Sequence, residues 1–307
     1  MRVLVTGGAG FIGSHVTEAL LARGAGLPAR EDVHVLDDLS KGQLANLPEC
    51  VPLHVLDIAA SPLDRMFRDG AFDAVVHCAA QTNVMRSLAE PELDRRINVI
   101  GLERVLHAAV ESGVRRLVFV SSGGAAYGET PVPATEETPP RPDNPYGRHK
   151  VEGEEIVARA PLSTASLRLS NVYGARQRSD AEGGVISIFA DRLAAGRPLP
   201  IYGDGAQERD FVHVSDVASA ILLALDDASM TGVWNVGTGR SATVNEVAAV
   251  MTAAFGGRAG IEYLPARQEV RRSCLDVGKL AATGRWSPRI DLPTGVAQLA
   301  AAIAPAR

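Results

Sequence analysis

The sequence predicts an α/β fold built on a doubly wound parallel sheet. Three observations carry that expectation. Strand-length apolar runs alternate with helical patterns through the first half of the chain. The runs are continuously apolar, as strands covered on both faces are, and do not alternate as half-exposed strands do. A glycine loop joins the first run to the first helical pattern.

The elements follow in order. Arg2–Val5 reads as the first strand, and Ser14–Arg23 as the amphipathic helix after the glycines. Val33–Asp37, Pro52–Asp57, Ala74–Cys78 and Leu117–Ser121 are rich in Val, Leu and Ile and read as strands. Helical spacing over Asn98–Ser112 separates the last two. The second half is less regular. It offers a strand at Leu167–Leu169, a helix over Gly183–Ala195 and an extended segment at Pro198–Tyr202. A helix over Asp216–Leu225, a strand at Trp234–Val236 and a helix over Val244–Phe255 come next. The tail Val270–Arg307 mixes a strand with a helical end. No repeat or long linker interrupts the chain. The expected division is 1–170, with 207–240 returning to it, for the main sheet, and 171–206 with 241–307 for a smaller, discontinuous α/β lobe.

Composition narrows the class. The chain has 307 residues, 46% hydrophobic and 22% charged, which excludes a disordered or collagen-like chain. A net charge of −5 shows no basic excess that would point to nucleic acid. Cys50, Cys78 and Cys274 have neither CxxC nor zinc-type spacing, so a reducing compartment and no metal are expected. The N-terminus does not read as a signal or transit peptide. No apolar run approaches the ~20 residues that span a bilayer. A soluble cytoplasmic protein is the resulting expectation.

The glycine loop carries the first chemistry. Thr6–Gly13 places Gly7, Gly10 and Gly13 at GxxGxxG spacing between strand and helix. One glycine permits the tight turn, one admits a pyrophosphate to the backbone, and one lets helix pack on strand. The unpaired N–H groups of the helix start then face the phosphates. This is the phosphate loop of a Rossmann sheet, and a dinucleotide is expected on it. Asp37 closes the second strand, where a carboxylate accepts from the ribose hydroxyls and repels a 2′-phosphate, favouring NAD over NADP. Asp38 is an alternative for that role. Asp57 and Ile58 are expected to line the adenine pocket.

A second motif follows. Asn144-Pro145-Tyr146-Gly147-Arg148-His149-Lys150 contains YxxxK. Pro145 suits a helix start, so Tyr146 and Lys150 share one helix face. An ammonium there favours phenolate, whose ordinary pKa is about 10, and readies the tyrosine as a base.

With these motifs in place, the chain resembles extended short-chain dehydrogenases/reductases of the NAD-dependent epimerase/dehydratase group over essentially its whole length. His77–Ala80, Asn98-Val99, Ser121–Gly128, Leu169–Arg176, Ile201–Gly205, Arg209–Val214 and Asn235–Gly239 support the resemblance. The likeness is greatest to UDP-glucose and UDP-glucuronate 4-epimerases. It implies a homodimer and assigns Phe11, Ile12, Ser40, Ala79, Ala80, Asn98 and Ser121 to cofactor contacts. The family's catalytic Ser or Thr position holds Gly123 here, so the nearest hydroxyl, Ser122, is expected to bridge the substrate hydroxyl and Tyr146. Ser121 is expected to be a structural or cofactor contact, and His77 a structural strand-end residue. Dehydratases of the group carry Asp-Glu where Gly124 and Ala125 stand. Neither residue can do acid–base work, which leaves epimerisation.

For the sugar nucleotide, the resemblance implies Asn171, Arg209 and Arg267 or Arg271 at the diphosphate. Arginine suits phosphate through its bidentate fork. It implies Ile201 and Tyr202 at uracil, and Glu269 at the ribose. The stretch Pro265–Glu269 lacks the family's glycine. Val185, Thr82, Arg86, Gly123 and Arg192 are expected on the sugar side, and Ser273 leaves volume there. A guanidinium at Arg192 would pair with a C6 carboxylate, which tilts the expectation slightly to glucuronate/galacturonate over glucose/galactose. Alternatives are another epimerase or reductase of the group, or an NAD-loaded non-catalytic sensor.

Overall fold

The computed structural model describes residues 1–24, 32–179, 184–257, 260–267 and 269–303. Gly183 at the start of one expected helix, Gln268 and the last residues of the tail lie outside them. The chain divides into two compact units, 1–126 with 140–168 and 218–234, and 127–139 with 169–217 and 235–307.

The first unit is organised by a sheet of β1 (Arg2–Thr6), β2 (Asp32–Asp37), β3 (Leu53–Val55), β4 (Ala74–His77), β5 (Arg116–Ser122) and β6 (Ser163–Leu169). With the later β10 (Gly232–Val236) it has the order β10-β6-β5-β4-β1-β2-β3. The pairs β1–β2, β2–β3, β1–β4 and β4–β5 are parallel, with Val5 opposite both Val35 and Val76. Strand order reverses between β1 and β4, the place where sheets of this kind bind ligands. Val3, Leu4, Val5, Val75, Val76, Leu117 and Val118 are essentially inaccessible, which explains the unbroken apolar runs. Helix Gly101–Glu111 packs Leu102, Val105 and Ala109 into the core with Phe67, Phe72 and Phe119. Helix Pro145–Ala158 starts at Asn144, whose side chain accepts from Gly147 N at 2.9 Å, with Pro145 in the first turn.

In the second unit β9 (Glu208–His213) is central. It pairs in parallel with β7 (Asn171–Tyr173) and β13 (Arg272–Ser273), and antiparallel with β11 (Ser241–Thr243). β8 (Leu199–Tyr202) pairs in parallel with β12 (Ile261–Leu264). Tyr173, Ile186, Phe189, Leu199, Ile201, Val247, Met251 and Val296 fill its core. Asp210 is fully buried and accepts from Thr238 N at 2.9 Å and Thr238 Oγ1 at 2.6 Å. The Arg209–Val214 and Asn235–Gly239 segments are thus tied by a structural carboxylate.

Candidate active site

The glycine loop is shaped by close approach. Gly7 has φ +67°, and a Cβ there would lie 2.6 Å from Ala79 N, so the ends of β1 and β4 meet only without a side chain. A Cβ on Gly13 would overlap the Gly7 carbonyl, which requires the third glycine. A Cβ on Gly10 would meet only Gly7 O, at 3.1 Å, leaving the helix start open to a ligand. Phe11 and Ile12 are half-buried in that first turn. At the end of β2 Asp37 accepts from Ala9 N and Leu39 N, each at 2.9 Å, and burial pushes its carboxyl up. Asp38 is exposed and accepts from Ser40 N at 2.9 Å and Ser40 Oγ at 2.6 Å. A glycine cradle with a fixed carboxylate at the next strand end fits a dinucleotide, its phosphates on the loop and its ribose at Asp37.

Other expected cofactor residues fare differently. Asp57 accepts from Ala59 N at 2.7 Å in a turn after β3. The Ile58 side chain is buried, in the core cluster that also holds Leu102. Ala79 and Ala80 lie half-buried after β4. Asn98 is buried, and its amide bonds the main chain of Gln81 twice, both at 2.9 Å. It therefore shapes the loop after β4. His77 is buried with Nδ1 2.9 Å from Thr6 Oγ1, in a strand-end position.

Tyr146 and Lys150 share a face of helix Pro145–Ala158. Lys150 Nζ donates to Val120 O at 2.9 Å and lies 5.9 Å from the Tyr146 ring centroid. The Ser122 hydroxyl lies close enough to the Tyr146 phenol to oppose the upward push of burial on it, and accepts from Ala125 N at 3.4 Å. A Cβ on Gly147 would overlap the Ala125 carbonyl, so this helix and helix Gly123–Tyr127 touch backbone to side-chain face. That contact brings Ser122 to Tyr146. Ser121 points elsewhere: its Oγ donates to buried Glu154 Oε1 at 2.5 Å, and Glu154 also takes two nitrogens of Arg168. Gly123 is buried. The electrostatics correct one expectation. Burial pushes the Tyr146 phenol up to about 12, against the Ser122 hydroxyl, and the Asp94 carboxylate pushes the same way as burial. Burial also brings the Lys150 ammonium down to about 8.

The second unit holds a cavity of about 310 Å³ lined by Tyr202, Asp204, Gln207, Arg267, Glu269 and Arg271, among others. The Arg267 guanidinium lies 3.3 Å from the centroid of the Tyr202 ring, a cation–π stack. Arg209 pairs with Glu269 at 3.0 Å, and Gln207 Nε2 donates to Glu269 at 3.2 Å. Arg271 forms two bonds to Asp204, at 2.9 and 3.0 Å. Tyr202 lines the cavity, while strand alternation turns its neighbour Ile201 into the core, fully buried. Asn171 sits half-buried in β7 opposite Phe211. The helix expected over Gly183–Ala195 is described as Val185–Ala194, with Val185 at its start and Arg192 half-exposed in its last turn. Thr82 and Arg86 are exposed, and Arg86 pairs with Glu90 at 3.3 Å. Sequence reasoning missed Asp94, buried against His149. Its only signal was an acid among the helical residues before Asn98.

Glycine cradle, Asp37, and a Tyr–Lys helix face with a serine beside the phenol together define a dinucleotide-dependent enzyme of the short-chain dehydrogenase type. The profile of the NAD-dependent epimerase/dehydratase family matches residues 3–237, and the chain belongs to that family. UDP-glucose 4-epimerase from Mycolicibacterium smegmatis is 37% identical over 312 residues, covering 97% of each chain. The structure of Thermus thermophilus UDP-glucose 4-epimerase in complex with NAD superposes with a TM-score of 0.93 at 40% identity, covering both chains fully. That of Thermotoga maritima UDP-glucose 4-epimerase with UDP-glucose gives 0.91 at 37% identity, covering 98% of each. Among the described residues no helix is long and apolar enough to cross a membrane.

Proposed function

We propose that the protein is an NAD-dependent UDP-sugar 4-epimerase acting on the UDP-glucose/UDP-galactose pair. The observation that carries this reading is the Ser122–Tyr146–Lys150 constellation beside residues that cannot eliminate water, Gly124 and Ala125. When bound, NAD supplies a hydride acceptor for the sugar C4 hydrogen and returns the hydride to the other face.

The chain's own residues do the rest. Tyr146 takes the proton of the C4 hydroxyl and gives it back to the 4-keto sugar. Ser122 Oγ hydrogen-bonds the same oxygen and the phenol. Lys150, held by the Val120 carbonyl, supplies a fixed positive charge near the ring. Gly7, Gly10, Gly13 and Asp37 hold the dinucleotide. Tyr202, Arg209, Arg267 and Glu269 receive the uridine diphosphate, which requires the Arg209–Glu269 pair and the Arg267 stack to rearrange or share their partners. Similarity to two UDP-glucose 4-epimerase structures supports glucose over glucuronate. The acid-sugar reading rests on Arg192 and on the backbone N–H groups of Gly123 and Gly124. We also infer a homodimer. Val84, Met85 and Leu88 of one short helix are exposed apolar residues that association would cover, and the mass in solution tests it.

The test is a substrate panel. Purified protein is incubated separately with UDP-glucose, UDP-glucuronate and UDP-N-acetylglucosamine, and the C4 epimers are resolved by proton NMR. Conversion mainly of UDP-glucose is expected. Conversion of UDP-glucuronate alone would transfer the role to Arg192, and no conversion even with NAD supplied would remove the epimerase reading.

A further inference from the structure

A buried acid lies next to the Tyr–Lys face and has no part in the proton transfer described above. Asp94, 1% exposed, is the penultimate residue of the short helix Pro91–Arg95, and a π-helical turn, Arg96–Ile100, begins two residues on. Such turns concentrate at functional sites. One carboxylate oxygen accepts from Gln81 Nε2 at 2.5 Å and the other faces His149 Nδ1 at 2.6 Å. Gln81 is in turn held by Asn98 and by Asn83. His149 stands between Tyr146 and Lys150 in sequence, with a side chain only 12% exposed. A chain of bonds therefore runs Asn98–Gln81–Asp94–His149, from the π-helical turn through the loop after β4 to the helix that carries Tyr146.

We propose that His149 is a positioning residue for the proton-transfer step, acting through the buried Asp94 carboxylate beside the Tyr146–Lys150 turn. The inference rests on Tyr146 being the proton-transfer group. A carboxylate can only accept, so Nδ1 is the protonated nitrogen. Its N–H both fixes the ring and offsets charge that would otherwise oppose phenolate formation. Other charges on the elements packed against this helix are differently engaged. Arg95 pairs with Glu152, Arg86 with Glu90 and Arg168 with Glu154. Arg104 donates to the carbonyls of Ile58 and Ser61, Arg116 to those of Ala224 and Met230, while Glu103, His107, Glu111 and Arg148 are exposed. Lys150 is the buried cation of this helix, on the far side of His149 in sequence from Tyr146. Asp94 is the buried anion whose charge reaches both Tyr146 and Lys150.

The experiment is the pH profile of kcat and KM for UDP-glucose epimerisation by the NAD-loaded enzyme, for H149A, H149N, D94N and Y146F. H149A strips Asp94 of a donor. It is expected to lower kcat about tenfold and to move the acid limb about one pH unit upward, with KM nearly constant. H149N keeps an N–H at the Nδ1 place and restores the wild-type profile. D94N removes the charge and moves the limb downward. A merely structural role would lower kcat in all three without opposite limb shifts, and that result overturns the inference. So does an H149A profile that coincides with wild type, or an effect confined to KM. If H149A does not fold, D94N decides: an unshifted or upward limb overturns the inference. Y146F separates the two readings. Retained turnover there removes the proton-transfer role itself, whereas a dead Y146F with unshifted His149 and Asp94 variants removes only the positioning role.

Discussion

At the residue scale, the site is a balance of burial against charge. Tyr146 must ionise to act as a base, yet burial holds its phenol at about 12, so a nearby cation has to favour the phenolate. In the proposed mechanism Lys150 supplies that charge, and burial costs it too, bringing the ammonium down to about 8. The sign follows directly. Below pH 8 Lys150 is charged and assists Tyr146, and above it the charge is lost. Turnover is therefore expected to rise with the phenolate fraction up to about pH 8 and to level off above it, where each gain in phenolate is matched by loss of the ammonium, a break well below the ordinary lysine value of about 10.4. Initial rates at saturating UDP-glucose from pH 6 to 10 read this break. A rate still rising past pH 9 would remove Lys150 from the role. Ser121 illustrates the complementary case. It is next to Ser122, but its hydroxyl is committed to Glu154, which Arg168 holds in turn, so it builds the strand end on which Ser122 is presented.

At the element scale, one contact sets the geometry. Helix Pro145–Ala158 can lie against helix Gly123–Tyr127 only because Gly147 has no side chain. Gly147→Ala would force the Ala125 carbonyl away and separate Ser122 from Tyr146. A loss of kcat of about 10²-fold is expected, the order that misplacing a catalytic group costs. Thermal melting should fall as well, and the rate and melting curve of the variant check it. Unchanged turnover would show that the Ser122 bond is dispensable. The strands and the doubly wound parallel class of this chain were legible because continuous apolar runs leave few other solutions, and β1 to β5 stand within a residue or two of their expected places. The glycine loop, Asp37 and the Tyr–Lys face were legible because each needs particular residue types at a particular spacing. What escaped was set by tertiary contact. Nothing local says that Ile58 and Ile201 turn inward, that Asn98 spends its amide on Gln81, or that Asp94 meets His149 across a sequence separation of 55. The short helices Val84–Ala89 and Gly123–Tyr127 are too brief for periodicity to reveal.

At the scale of the whole molecule, the buried histidines set how the fold answers acid. His77 is inaccessible, and burial, with the Lys150 charge second, brings its imidazole down to about 3. His54 is lowered by burial and by His34, whose ring it stacks against at 5.4 Å while Phe72 packs edge-on. An unfolded histidine takes up its proton near pH 6.5, so below that value the unfolded chain binds protons that the native one refuses. Stability attributable to these residues is full above about pH 6.5 and is lost progressively as the pH falls toward their folded values. Asp37 and Asp210, raised by burial, act in the opposite sense. The histidine contribution sets in below about pH 6.5. The melting temperature is expected to be flat just above that pH and to fall below it. His54→Gln, at a half-buried site that tolerates a neutral side chain, is expected to reduce the slope without abolishing it, since His77 continues to contribute. Differential scanning fluorimetry through that pH measures both slopes. Equal slopes for the variant and the parent would mean that the strain of charging the His34–His54 stack is relieved locally, without cost to the sheet edge at β2 and β3.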